Sequence, residues 1–149
     1  MRRTAQFWTL MAALVAAAFA LRTLVLIDAT ALWSDELYSV GKSFQPSPLE
    51  LLGMLRQDTH PPMYYGLLWV WGQLVGQSPV SLRLLSWLAY VGGGAVMVAQ
   101  AVALSDGRQR VLPLALLLAF CSPYPVRFAI EGKSYALPVS YTHLTLPTT

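Results

Sequence analysis

The sequence predicts an all-α, polytopic membrane protein with a juxtamembrane amphipathic helix in its first external loop. Three observations predict it. Of the 149 residues, 56% are hydrophobic and only 11% are charged, where a soluble domain carries roughly a quarter charged residues. The apolar residues are gathered into runs long enough to cross a bilayer. The charges avoid those runs: five of the seven acidic residues, Asp28, Asp35, Glu36, Glu50 and Asp58, fall between positions 28 and 58. A net charge of +3, dispersed along the chain, excludes a nucleic-acid-binding face. The single cysteine, Cys121, excludes an internal disulfide and leaves the redox compartment open.

The first predicted span is 7–27, interrupted only by Arg22, whose long side chain can snorkel from near the far end. Arg2 and Arg3 before it favour a cytoplasmic amino terminus. Ala18-Phe-Ala20 resembles a signal-peptide cleavage site, but the apolar run continues to Ile27 and further apolar segments follow.

Residues 28–62 are a polar external loop. Within it, 46–57 reads as a short amphipathic helix, with Pro48 near its start and Leu49, Leu52 and Leu55 at helical spacing. It ends before Pro61-Pro62 and suits a membrane surface. Segment 63–76 is aromatic and apolar but short for a span, and reads as an interfacial or re-entrant helix. The second span is 82–104, with Gly92-Gly93-Gly94 and an Ala95/Ala99/Ala103 row that admit a close helix neighbour. The third is 111–128, with Pro123 and Pro125 breaking or kinking its far end.

Charge selects between two topologies. If 63–76 crosses, the Arg108/Arg110 turn is external and Glu131 cytoplasmic. If 63–76 stays at one face, Arg108 and Arg110 are cytoplasmic, as the positive-inside rule prefers. Glu131, Lys133 and Tyr135 then return to the face of Asp35, Glu36, Asp58 and His60. The second arrangement is expected, with three spans and one multi-pass domain over 1–138. The tail 139–149 resembles a translated sequencing-library adapter and is read as non-native, so the native chain is expected to continue past Pro138 and His143 is not a ligand candidate.

Three polar clusters carry candidate chemistry. Trp33-Ser-Asp35-Glu36 sets two carboxylates side by side, suited to general-base or metal-ligand work, although such pairs are also common in solvated loops. Asp58-Thr-His60-Pro61-Pro62-Met-Tyr64-Tyr65 holds a carboxylate and an imidazole ahead of a rigid step, and one histidine with several carboxylates can bind a divalent metal. Arg127, Glu131 and Tyr135 recur every four residues and share a face if helical. A surface ion pair with a tyrosine anchor would look the same.

Taken in order, these stretches resemble the polytopic glycosyltransferases that use polyprenyl-phosphate sugars, with the protein O-mannosyltransferases and the aminoarabinose transferases of lipid A. Leu32-Trp-Ser-Asp35-Glu36-Leu-Tyr38 resembles the Asp-Glu motif of their first external loop. Asp58 to Tyr65 resembles their His-Pro-Pro-Leu-Tyr-Tyr element. Ser81-Leu-Arg83-Leu resembles the Ala-Leu-Arg-Leu opening a later span. Ser122-Pro-Tyr124 through Glu131-Gly-Lys133-Ser-Tyr135-Ala-Leu137 resembles a Ser-Pro…Glu-Ala-Arg-x-Tyr-Ala-Leu stretch, with Lys133 for arginine and Gly132 for alanine. Lysine keeps the charge but loses bidentate geometry.

The resemblance implies an inverting hexosyl- or pentosyltransferase in the cell membrane, its site on the external face. Its donor would be a polyprenyl-phosphate sugar and its acceptor a lipid, protein or glycan hydroxyl. Asp35 would be the base and Glu36 its catalytic neighbour. Asp58, His60, Arg127, Glu131, Lys133 and Tyr135 would bind substrate or phosphate, and Glu36 and His60 are the candidate ligands of a divalent metal ion. Residues 1–138 would be the amino-terminal part of such an enzyme and inactive alone. The rivals are a transporter or lipid flippase with the same residues lining a polar vestibule, and a non-catalytic membrane scaffold.

Overall fold

The computed structural model describes residues 2–29, 31–56, 62–105 and 109–132, and all regular structure among them is helical. Helix α1 (Arg2–Leu26) is alanine-rich and uninterrupted by glycine or proline. Helix α2 (Ser34–Ser43) and helix α3 (Pro48–Leu55) follow. Then come α4 (Pro62–Val75), α5 (Pro79–Leu104), a 3₁₀ turn at Gln109–Val111, α6 (Leu112–Cys121) and α7 (Pro123–Ala129).

Serine-proline steps start three of these helices. Ser47 and Ser78 accept from the backbone N–H of Glu50 and Ser81, at 3.3 and 3.0 Å, with Pro48 and Pro79 just behind. At Ser122-Pro123 the step instead divides α6 from α7 with a bend of 48°, because the proline removes a helical donor and crowds the preceding turn. Gly76, at φ 101°, makes the reversal from α4 into α5.

Helices α1 and α5 are long and apolar enough to cross a membrane, and the bent α6–α7 pair makes a third if it counts as one span. The chain runs along α1, returns along α5 and advances again along α6 and α7. The carbonyl of Ile27, just past α1, lies against Arg83 near the start of α5. At the other end Arg110, ahead of α6, shares a groove with Thr4 of α1. The three elements are tied laterally. Trp87 Nε1 donates to the Ala20 carbonyl at 3.0 Å, and the Tyr90 hydroxyl to the Phe120 carbonyl at 2.7 Å. A Cβ on Gly94 would lie 2.7 Å from Phe120 Cζ, so glycine lets α5 and α6 approach.

One element was not expected from the sequence, and another gains a defined buried face. The loop 28–62 contains helix α2, which takes Asp35 and Glu36 into a first helical turn. Helix α3 falls within the expected 46–57 helix, burying Leu51 and Leu55, four apart on one face, and leaving Leu49 and Leu52 exposed. The reason is the neighbour it meets. Tyr64, Tyr65 and Leu68 of α4, with Leu82 and Leu85 of α5, form the core that receives Leu51 and Leu55. Trp69 Nε1 donates to the Gln45 carbonyl and Trp71 Nε1 to the Ser81 carbonyl, both at 2.9 Å, pinning α4 to the α2–α3 link and to α5.

Candidate functional site around Glu36 and Arg83

Adjacent residues on an α-helix point about 100° apart, so one of two neighbouring carboxylates turns inward. On α2 that one is Glu36, at 0% exposure, while Asp35 is exposed. Glu36 meets Arg83, which is 2% exposed and projects from the opening of α5. The contact is a two-pronged fork: Arg83 Nε donates to Oε1 at 2.8 Å and Nη2 to Oε2 at 2.7 Å. Arg83 also donates to the carbonyls of Ile27 at 2.8 Å and Ala31 at 3.1 Å.

The third partner arrives from the far end of the described chain. The Gly132 N–H donates to Glu36 Oε1 at 2.7 Å, and the Trp33 N–H to Oε2 at 3.3 Å. A carboxylate offers about four lone-pair sites, and these four donors occupy them. Burial pushes the Glu36 carboxyl upward. The Arg83 hydrogen bond, the Gly132 N–H, the Arg83 charge and the Trp33 N–H together outweigh that and hold it below the ordinary range. Gly132 is required by space, since a Cβ there would run into Leu82 Cγ and Cδ2 and sit 3.3 Å from Glu36 Oε1.

The fork therefore knots together the end of α1, the start of α2, the start of α5 and the segment after α7. Four positions far apart in sequence, 27, 36, 83 and 132, meet at one point. Around it, Lys42 Nζ lies 4.0 Å from the Tyr38 ring centre and 5.5 Å from that of Tyr65. Arg127 Nε bonds Glu131 Oε1 at 3.1 Å, with Arg127 72% exposed at its side chain. That is the i,i+4 pair expected from spacing, though α7 ends at Ala129.

The candidate site residues are thus distributed as follows. Asp35 is open to solvent on the outer side of α2, Glu36 is enclosed, and Arg127 and Glu131 pair on the arm that ends in Gly132. Asp58, His60, Lys133, Tyr135 and the tail 139–149 lie outside the described residues. Glu36, expected as a catalytic group and metal ligand, presents no lone pair for either task in this geometry. Among the described residues no group of three or more His, Cys, Asp or Glu side chains is placed to hold a metal ion.

Arg83 and the Gly132 N–H were not assigned roles from sequence. The available signal for Arg83 was a lone cation in the opening turn of a long apolar run, a position that demands a partner. For Gly132, a backbone donor, the sequence carries no comparable signal. The chain matches no protein-family model, no curated protein and no solved structure.

Proposed function

We propose that the chain forms part of an integral-membrane glycosyltransferase that moves a sugar from a polyprenyl-phosphate donor to an acceptor hydroxyl, with Asp35 as base. The observation that carries this reading is the division of labour on α2: an exposed carboxylate, Asp35, beside a buried one, Glu36, that is locked by Arg83 and Gly132. A base must be held in place within reach of its proton. The Glu36 fork holds the first turn of α2 and leaves Asp35 facing outward. The fork also draws three of the four resembling stretches, at 32–38, 81–84 and 122–132, to one end of the helices.

In this mechanism Asp35 takes the proton of the acceptor hydroxyl. The oxygen forms a bond to the anomeric carbon from the face opposite the phosphate. The bond from that carbon to the phosphate oxygen breaks, and polyprenyl phosphate leaves with the electron pair. Arg127 and Lys133 are the cations assigned to the departing phosphate. Glu36 is a positioning residue. It does not fit as a metal ligand, because four donors engage its lone pairs.

The membrane arrangement belongs to the same proposal. Arg3 and Arg110 occupy the cytoplasmic end, Asp35, Glu36 and Glu131 the external end, and α4 remains on the external side against α2, α3 and the start of α5. This satisfies the positive-inside rule.

The test is sugar transfer by the membrane-embedded protein from a synthetic polyprenyl-phosphate sugar. Asp35→Asn should lose roughly 10²–10⁴-fold in rate with an unchanged unfolding midpoint. Wild-type turnover by that variant removes Asp35 as the base.

A further inference from the structure

The end of the molecule remote from Glu36 carries an open groove of about 740 Å³ between α1 and α6. It follows α1 from Thr4 to Val15, eleven residues and therefore about 16 Å at the α-helical rise. That is the depth of one leaflet, half of a hydrocarbon core about 30 Å thick. Its walls are Trp8, Met11, Leu114 and Leu117. The exposed cation Arg110 lines it at the Thr4 end, where Arg3 is also exposed. Arg2 and Arg108 add positive charge nearby in sequence, and neither 2–26 nor 109–122 contains an acidic residue.

We propose that this groove is a binding site for an anionic glycerophospholipid of the leaflet at the amino-terminal end, with one acyl chain between α1 and α6 and the phosphate on Arg110. The depth sets the occupant: a chain one leaflet long fills it, whereas a spanning helix would overrun Val15 and Leu117. The charge sets the headgroup. A cation at the mouth of an apolar slot is neutralised by a lipid phosphate with net negative charge, while a zwitterionic headgroup brings its own ammonium to the same place. The indole of Trp8, within the groove near its charged mouth, suits the boundary between headgroups and chains.

The experiment uses the chain in phosphatidylcholine nanodiscs with a small fraction of photoactivatable phosphatidylglycerol or photoactivatable phosphatidylcholine, and adducts mapped by peptide mass spectrometry. Adducts are expected on 4–15 and 110–117, with phosphatidylglycerol favoured about fivefold, the effect of one interfacial cation. Arg110→Gln should reduce the preference severalfold and keep the adducts, and an unchanged preference in that variant overturns the placement of the phosphate on Arg110. Arg110→Lys should retain the preference, and Leu114→Trp, which fills the slot, should lose the adducts of both lipids. Equal labelling by the two lipids in the wild type overturns the proposal, as does labelling that Leu114→Trp leaves unchanged. Cross-links from this groove to a second copy or to another helix, in place of lipid adducts, also overturn it.

Discussion

Removing Arg83 should be among the most damaging single changes in the described part of the chain. Arg83→Met leaves the Glu36 carboxylate at 0% exposure with two backbone donors, at 2.7 and 3.3 Å, in place of four. It also takes the guanidinium donors from the Ile27 and Ala31 carbonyls. Stranding one member of a buried ion pair costs about 3–5 kcal/mol. Glu36→Gln strands the other member and should cost a similar amount. The double variant removes both charges and should cost well under the sum, with a coupling of about 3 kcal/mol. Equilibrium unfolding in mixed micelles measures all three. Single variants within about 1 kcal/mol of wild type, or a double variant additive to about 0.5 kcal/mol, would refute the reasoning. The same pair sets an acid limb. Glu36 is held below the ordinary glutamate value of about 4.3. Its contribution is therefore fully present above that value and is lost as pH falls through the lower folded value. Glu36→Gln should flatten this part of the stability profile.

Other outcomes follow from the same contacts. Gly132→Ala drives a methyl group into Leu82 and toward Glu36, and should lower stability by about 1–3 kcal/mol in the same unfolding measurement. Gly94→Leu forces α5 from the Phe120 ring, with a similar expected loss and a weakened α5–α6 cross-link between engineered cysteines. In a Cys121→Ala background, cysteines at position 107 and at Tyr124, which is 75% exposed, should label from opposite sides of the membrane, with 124 external. Labelling from one side would defeat the proposed three-span arrangement.

Much of the architecture was legible because hydrophobic length and proline placement act locally. The apolar runs at 7–27 and 82–104 became α1 and α5, and Pro123 bent the third at the expected place. Helix α2 was missed because its decisive contact is remote. Ser34–Ser43 is short and predominantly polar, and its first turn is held by an arginine 47 residues away in sequence. The core-facing side of α3 was not legible for a related reason. Leucines at 49, 51, 52 and 55 permit more than one apolar stripe, and the aromatic side of α4 chooses between them.

The sequence by itself determined that this is a helical chain with membrane-length apolar segments and polar residues collected between them. Composition, run length and proline position suffice for that. Only the tertiary structure decided how the two adjacent carboxylates differ. Helical geometry on α2 turns Glu36 inward, Arg83 and the Gly132 N–H occupy its oxygens, and Asp35 is left outside. A carboxylate's burial and hydrogen bonding depend on groups brought from 47 and 96 residues away, and no local pattern around Asp35-Glu36 encodes them.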